Sequence, residues 1–202
     1  MGHINFNSIH AKILRAPRAQ AQAAEIVQED VNKLKTELLE DFNSHRATLE
    51  IEAGPDLEVS EVLPVGYGNL YSFLGFEDGK NPTQPVRKKL ESIHLLKKPR
   101  VDGRYWTFKI KMPTEEDLEN ASPMDWESGR SWITAITKGL SGFSHYLFTL
   151  SRNIGRSGSA IQVAGDLTGG SNSPRSGSQF FAGTPYVYEM LRKFVKKLKR
   201  IA

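Results

Sequence analysis

The residue types that bind metals or act as acids and bases are scattered along this chain. No two of its five histidines are three or four residues apart, the spacing that places two metal ligands on one helix face. These histidines are His3, His10, His45, His94 and His145. The chain has no cysteine, so it offers no disulfide, thiolate metal site or cysteine nucleophile. We therefore expect no metal site.

Serine is abundant, but no serine lies in the Gly-x-Ser-x-Gly turn that exposes a nucleophile between a strand and a helix. The nearest approach, Gly155-Arg-Ser-Gly-Ser, misses that pattern. A cluster of acids begins at Glu115, where negative charge favours a helix N-terminus without any catalytic role. We predict no catalytic residue. Because a Ser–His–Asp triad converges only in the fold, a hydrolase with a non-local triad stays open as a third interpretation.

Two glycine-rich segments are too irregular to bind a nucleotide phosphate. Gly66-Tyr-Gly-Asn-Leu-Tyr lacks the third glycine of a dinucleotide loop, and no clear helix follows it. Gly165-Asp-Leu-Thr-Gly-Gly lacks the Gly-Lys-Ser/Thr ending of a phosphate-binding loop. Since the mechanism depends on that spacing, we expect no nucleotide cofactor, and no cofactor of any other kind.

The segment from Gly66 to Gly79 combines glycines with large apolar side chains and little charge. Such a segment is typical either of a kinked core strand or of an apolar arm that docks on a partner. We favour the arm, and predict that its large side chains contact another subunit: Tyr67, Leu70, Tyr71, Phe73, Leu74 and Phe76. Three aromatic residues precede the final helix and would anchor that helix either to the core or to a partner. We include them among the predicted subunit-contact residues: Phe180, Phe181 and Tyr186.

Length and composition indicate a single domain over residues 1–202. Hydrophobic residues make up 39% and charged residues 25%, and the net charge is +4. No apolar run approaches the roughly 20 residues of a membrane span, so we expect no membrane partner. The first residues show no charged region followed by an apolar stretch, so we expect no secretion signal. Residues 37–61 and 115–127 are acidic, whereas 87–111 and the last eleven residues are basic. Such alternating blocks suit head-to-tail contact between copies, or simple solvated faces.

The hydrophobic periodicity predicts a long first helix, which begins at Pro17 and ends at about His45. Its narrow apolar stripe consists of Ala19, Ala23, Val27, Val31, Leu34, Leu38 and Phe42. Residues 48–51 and 57–63 favour strands, and 85–95 a short helix. Residues 104–112 alternate as one half-buried strand, after which Thr114 and Asp117 predict a helical capping box.

The remaining pattern predicts a helix at 132–140 and strands at 146–150 and 161–164. The final amphipathic helix opens at Pro185. Together these elements predict an α+β fold, in which a small, mostly antiparallel sheet is flanked by the long N-terminal helix and the C-terminal helix. Extended segments join them: a glycine–aromatic loop or arm at 66–85 and a Ser/Gly-rich loop at 152–184.

Basic residues near the middle and at the end of the chain raise nucleic-acid binding as the alternative function. A cationic amphipathic helix binds phosphates in some proteins, but more often its lysines are only solvated. The candidate contacts are Lys97, Lys98, Arg100, Lys196, Lys197, Lys199 and Arg200.

An ordered set of motifs resembles small virion proteins of tailed bacteriophages. They are Asn5-Phe-Asn-Ser-Ile-His-Ala-Lys-Ile-Leu-Arg, Gly68-Asn-Leu-Tyr-Ser-Phe-Leu-Gly-Phe, Ser157-Gly-Ser-Ala-Ile-Gln and Gly183-Thr-Pro-Tyr-Val. The layout of long helix, small sheet and closing helix is similar to tail-completion, or neck, proteins of the head–tail joint. The resemblance implies a homo-oligomeric ring, often of six subunits, between connector and tail proteins and around a DNA channel. It also implies a virion protein, assembled in the host cytoplasm, with no catalytic residues.

Our leading hypothesis is therefore a structural protein of a phage neck or tail end. Head-to-tail contacts close into rings when neighbouring subunits present complementary faces, which fits the alternating acidic and basic blocks.

Overall fold

The computed structural model describes residues 6–57, 60, 62, 69–96, 99–125, 129–138, 146–148, 160–162 and 184–201. Within these ranges the helices are α1 (Phe6–Arg15), α2 (Pro17–Ser44), α3 (Arg46–Ala53), α4 (Leu70–Phe73), α5 (Thr83–Glu91), α6 (Glu115–Asn120), α7 (Trp132–Lys138) and α8 (Val187–Ile201). A 3₁₀ turn covers Gly54–Asp56. The strands are β1 (His94–Leu95), β2 (Arg100–Asp102), β3 (Tyr105–Thr107), β4 (Ile110–Lys111), β5 (Tyr146–Phe148) and β6 (Ala160–Gln162).

Helix α2 has the bounds that the sequence predicts. Pro17 is its first residue, where the missing N–H costs no hydrogen bond, and His45 ends it in extended backbone. The second half of the apolar stripe, from Val31 to Phe42, is buried. In the first half, Val27 packs against the core and the alanines are only half-buried.

The predicted strand at 48–51 is wrong, because these residues belong to helix α3. Ala47, Thr48 and Ile51 are buried in this helix, so packing outweighs the β preference of Thr48 and Ile51. His45 starts α3 as its N-cap residue, since its Nδ1 atom accepts a hydrogen bond from the Ala47 backbone N–H at 3.2 Å. Of the predicted strand at 57–63, residues 57, 60 and 62 are described, and they lie in no strand.

Strands β1 to β4 pair as the two sides of a β-hairpin, and residues 94–111 are named the hairpin arm below. At its root His94 pairs with Lys111, and at its tip Arg100 pairs with Thr107. From root to tip the outgoing side advances six residues and the return side four, so the registers of β1–β4 and β2–β3 are offset by two residues. The predicted alternation at 105–112 is confirmed, with even-numbered residues half-buried and odd-numbered ones exposed. The prediction of a single strand is wrong, because the segment is divided into β3 and β4.

The α+β class is confirmed, with every strand pair of the described residues antiparallel. Helix α8 packs along α2, and helices α3 to α7 complete the core around them. The capping box of α6 is confirmed, since Thr114 Oγ1 accepts from the Asp117 N–H at 3.1 Å and the Asp117 carboxylate accepts from the Thr114 N–H at 3.0 Å. The Asp117 carboxylate accepts hydrogen bonds from the Thr114 backbone N–H, the Thr114 hydroxyl and Lys89, and these lower its pKa to about 2.

The other predicted elements are found close to their expected bounds. Helix α5 begins two residues before Pro85, and Val86 and Leu90 are buried in it. The predicted end at Leu95 is wrong, because α5 ends at Glu91 and His94 and Leu95 form β1. Helix α7 buries Trp132, Ile133 and Ile136, as the spacing predicts. Strand β5 lies within the predicted 146–150 segment, and it pairs with β6, which begins one residue before the predicted 161–164 segment. Leu140 and most of the 152–184 loop lie outside the described residues.

A candidate protein-interaction surface at the distal end

One end of the molecule extends beyond the hydrophobic core. The buried core cluster begins on α2 at Val31, and residues 99–107 contribute nothing to it. We define the distal end as helix α1, the first ten residues of α2 (17–26) and the tip of the hairpin arm (99–107). These segments come from two separate parts of the sequence.

Trp106 holds the two parts of the distal end together. Its indole N–H donates to the carbonyl oxygen of Leu14 at 2.9 Å. The side-chain amide of Gln20 donates to the same oxygen at 2.8 Å. The Leu14 carbonyl therefore accepts two hydrogen bonds at the junction between α1 and α2, where helical hydrogen bonding is interrupted. The Leu14 side chain is buried.

Most of the large apolar side chains that the structure exposes are at this end. Seven are exposed among the described residues, and the distal end carries five of them: Ile9, Ile13, Ile26, Val101 and Tyr105. Ile26 is 63% and Tyr105 76% exposed. Single exposed apolar residues are common, whereas their concentration in one region marks an interaction surface.

The hairpin tip has an inner and an outer face, because side chains alternate along each strand. Val101 pairs with Trp106 on the face that bonds to α1. Tyr105 pairs with Asp102 on the opposite face, which also carries Arg100 and Thr107, and all four of these residues are exposed. The two strands turn through Gly103, whose φ of 58° is easily adopted by glycine at a tight hairpin turn.

The predicted subunit-contact residues of the glycine–aromatic segment are buried in their own chain. The prediction is wrong for Leu70, Tyr71, Phe73, Leu74 and Phe76, which are at most 4% exposed. Tyr67 lies outside the described residues, as do Phe180 and Phe181. The alternative interpretation, a kinked core strand, is correct in placing these residues in the core. It is wrong about the strand, because residues 70–73 form the short helix α4. The description of 66–85 as an arm is likewise wrong for its buried part.

Asn69 explains why this segment folds inward. Its side-chain oxygen accepts from the Ser72 N–H at 2.7 Å and caps α4, while its amide donates to the carbonyls of Pro55 and Leu57, each at 2.9 Å. At the other end the Tyr71 hydroxyl donates to the Glu77 carbonyl. Hydrogen bonds thus fix the start of α4 and tie the helix to the chain that follows it, and the aromatic side chains of the segment are part of the core.

Tyr186 is also a core residue, so its assignment to a subunit contact is wrong. Its ring packs against those of Phe42, His45 and Trp132, at centroid distances of 5.9, 4.7 and 6.2 Å. Its hydroxyl shares a buried 2.6 Å hydrogen bond with Thr48. Burial strongly raises the pKa of this hydroxyl, which stays neutral.

The predicted nucleic-acid contacts lie on two different elements. Arg100 is exposed at the hairpin tip, and Lys196, Lys199 and Arg200 are exposed on α8. Lys197 instead forms a 2.7 Å ion pair with Glu37 of α2. Lys97 and Lys98 lie outside the described residues.

A groove of about 680 Å³ near the α2–α3 junction contains His45, Ser44 and Asp41. Ser44 donates its hydroxyl hydrogen bond to the Glu40 carbonyl, and His45 uses Nδ1 to cap α3. Burial lowers the pKa of His45, a hydrogen bond to the Pro185 backbone carbonyl acts against this, and the nearby charges of Arg46 and Lys193 lower the pKa further. These groups therefore serve local structure. Within the described ranges there is no cluster of three or more potential metal ligands.

None of the helices in the described part of the chain is both long and apolar enough to cross a bilayer. Comparison of the sequence and fold with protein-family models, curated proteins and solved structures finds no match.

Ile26 and Tyr105 at the distal end are functional candidates that the sequence reasoning missed. Ile26 falls between the positions of the α2 stripe, so it cannot face the core with Val27 and Val31. Tyr105 lies on the solvent-exposed face of the strand, among polar residues. An apolar residue on a polar face was thus the available signal in both cases.

Proposed function

We propose that this protein is a structural protein of a tailed-phage virion, which forms a ring in the neck or tail-completion region between connector and tail. The observation that carries the proposal is the concentration of exposed apolar side chains on the distal end. A subunit of an assembly needs a surface that is exposed in one copy and covered in the complex. The sequence motifs that resemble phage neck proteins support the same function.

The distribution of charge supports a ring made of identical contacts. The hairpin arm contains six lysines and arginines and one acid, Asp102. The first half of α2 carries Glu25, Glu29 and Asp30 close to the exposed Ile26. Opposite charges on different faces of one chain favour head-to-tail association, which closes into a ring when the rotation between neighbours allows it.

Light scattering after gel filtration tests the proposal, first with the chain alone and then with the adjoining virion proteins. We expect a complex whose mass is a multiple of 22.6 kDa, with six copies as the number implied by the resemblance. Cryo-electron microscopy of the particle should place the chain at the head–tail joint. A monomer in every mixture, together with its absence from the particle, would refute the proposal.

Nucleic-acid binding is the second candidate, and the exposed Lys196, Lys199 and Arg200 on α8 favour it. We expect binding of duplex DNA that weakens with salt, with a log–log slope of about 0.9 for each phosphate contacted. Replacing these three residues by glutamine should reduce the slope, whereas Lys88→Gln on α5 should leave it unchanged. Fluorescence anisotropy between about 50 and 200 mM salt measures both values. Equal slopes in all variants would exclude α8 as the DNA contact.

A further inference from the structure

We propose that one face of the hairpin arm binds single-stranded nucleic acid, with its lysines and arginines on the phosphates and the ring of Tyr105 stacked on a base. Such a contact goes beyond the proposed function, which concerns association between proteins. It also lies on a different element from the lysines of α8.

The outer face of the hairpin tip continues along the arm to its root. On the return side every second residue from Tyr105 to Lys111 is exposed, and the residues between them are half-buried. Residues that pair across antiparallel strands share a face, so Arg100 and Asp102 of the outgoing side belong to it as well. This outer face consists of Arg100, Asp102, Tyr105, Thr107, Lys109 and Lys111, with His94 opposite Lys111. At about 3.4 Å per residue, the row from Tyr105 to Lys111 is about 20 Å long.

Positive charge dominates the outer face. Arg100, Lys109 and Lys111 lie on it and Arg104 is exposed at the turn, against the single carboxylate of Asp102. None of these four cations forms an ion pair or a side-chain hydrogen bond with another residue in the described part of the chain. They can therefore bind phosphates without breaking an existing contact, and phosphate contacts supply most of the affinity for a nucleic-acid backbone.

The acids of the neighbouring helix α2 lie on the other side of the arm. The two elements are adjacent, since Lys35 Nζ donates to the carbonyl of Ile93 at the root at 3.2 Å. Ile110 and Met112, on the inner face of the arm, pack against the core that α2 helps to form, so the outer face is turned away from this helix. The charged residues of α2 before Lys35 are Arg18, Glu25, Glu29, Asp30 and Lys33, and those of α1 are Lys12 and Arg15.

Tyr105 determines which anionic partner fits. Its side chain is 76% exposed on the outer face, where an aromatic ring can stack on an unpaired base. Every other residue of this face is charged or polar, whereas a bilayer or a protein partner requires a contiguous apolar area. The exposed isoleucines of the distal end lie on α1 and α2 instead, and remain available for the protein contact of the proposed function.

Fluorescence anisotropy of the full-length protein tests the phosphate contacts. The probes are oligo(dT) and oligo(U) of about 12 nucleotides, which distinguish DNA from RNA as the source of the backbone, and a DNA duplex of equal length. Binding of the single strands should weaken with salt, with a log–log slope of about 0.7 for each phosphate contacted. Lys109→Gln with Lys111→Gln should lower this slope by about 1.4. The control Lys88→Gln with Lys138→Gln has the same charge change on exposed residues elsewhere, and should leave the slope unchanged.

Tyr105 separates base stacking from charge in the same assay. Tyr105→Ala should weaken single-strand binding roughly 5- to 150-fold at an unchanged slope, because the cations remain and one stacked base is lost. Tyr105→Phe keeps the ring and should keep the affinity. Binding of the duplex should be the same in the wild type and in Tyr105→Ala, since its bases are already stacked on each other.

Several outcomes would overturn this contact. They are no binding of either single strand near about 50 mM salt, an unchanged slope in the Lys109 and Lys111 variant, and an equal effect of Tyr105→Ala on single strand and duplex. Binding to vesicles of phosphatidylcholine and phosphatidylglycerol without binding to the oligonucleotides would assign the face to a membrane surface instead. A wild-type oligomer that the lysine variant converts to monomers would assign it to a second copy.

The proposed function fails or stands separately. A chain that binds no oligonucleotide but assembles with neighbouring virion proteins overturns the contact and leaves the structural function standing. A chain that binds the single strands as expected but is absent from the particle does the reverse. If the double lysine variant unfolds by circular dichroism, Lys109→Gln and Lys111→Gln are measured singly. Each should lower the slope by about 0.7, and unchanged slopes overturn the contact.

Discussion

The indole N–H of Trp106 donates to the carbonyl oxygen of Leu14 at 2.9 Å, across 92 residues of chain. This bond fixes the hairpin tip against the junction of α1 and α2. Since Ile9 and Ile13 on α1 and Tyr105 on the hairpin are all exposed, it also sets the relative position of the apolar side chains that we assign to assembly.

Trp106→Phe should loosen the distal end without unfolding the core. The variant keeps an aromatic ring but loses the donor, and a hydrogen bond of this kind is worth about 1 kcal/mol. Amide exchange in α1 should therefore become roughly fivefold faster, while exchange in α8 is unchanged. The matched control is Thr107→Val, on the exposed face of the same strand. Equal exchange in both variants would show that the indole bond does not hold α1.

The hydrogen bond between Tyr186 and Thr48 should contribute to the stability of the core. Tyr186→Phe leaves the buried Thr48 hydroxyl without its partner, so we expect a loss of about 1–3 kcal/mol in the free energy of unfolding. Thr48→Val should cost a similar amount, because it leaves the buried Tyr186 hydroxyl without a hydrogen-bond partner. Urea denaturation measures both changes. The double variant should cost less than the sum of the single ones, and strict additivity would contradict a direct coupling.

Stability should fall as the pH falls through the titration of His45. Burial lowers its pKa in the folded protein, so the unfolded chain takes up a proton first, near its usual pKa of about 6.5. The folded state is thus favoured above that pH, and its advantage is lost as the pH drops to the lowered value. The hydrogen bond from His45 to the Pro185 backbone carbonyl raises the pKa and opposes this effect, whereas the charges of Arg46 and Lys193 reinforce it.

Asn is the informative replacement at position 45. His45→Asn keeps a side-chain acceptor for the Ala47 N–H, so α3 remains capped while the titrating group is removed. Denaturation at pH 7.5 and pH 5.5 should show a smaller loss of stability in this variant than in the wild type. His45→Ala, which removes the cap, should be less stable at both values. An identical pH dependence in wild type and His45→Asn would exclude this histidine as the cause.

The parts of the fold that the sequence predicts correctly are those that depend on neighbouring residues. Pro17 begins α2 because its ring fixes the backbone and its missing N–H is not needed there. Thr114 and Asp117 cap α6 through bonds that span three residues. In each case the physical cause lies within one turn of the chain.

The parts that it predicts wrongly depend on distant contacts. Thr48 favours a strand by itself, but in α3 its hydroxyl meets Tyr186, which is 138 residues away. The burial of Phe73 and Phe76 depends on the elements that cover them, and the apolar character of these side chains is the same in a core and in an interface. The choice between core and partner thus required the tertiary structure.

Aromatic residues of the glycine-rich segment should behave as core residues when truncated. Phe76 packs against Tyr71 and Trp132, so Phe76→Ala should cost about 3–5 kcal/mol in the free energy of unfolding. The matched control is Tyr105→Ala, which removes an aromatic ring of similar size from the exposed hairpin tip and should change stability by less than about 0.5 kcal/mol. Similar small losses in the two variants would contradict the core position of Phe76.

Replacing Asn69 by aspartate should destabilise the protein, although the two side chains have the same shape. Asn69→Asp keeps the oxygen that caps α4, but places a buried carboxylate against the carbonyls of Pro55 and Leu57. Ionisation there is unfavourable, so the pKa of the new carboxyl should be raised above its unfolded value of about 3.9. A raised folded-state pKa gives a contribution that is present below the unfolded value and lost as the pH rises. The deficit of Asn69→Asp relative to the wild type should therefore be larger at pH 7 than at pH 4. Asn69→Ala, which cannot titrate, should show the same deficit at both values, and a pH-independent deficit in Asn69→Asp would mean that the two carbonyls do not face this side chain.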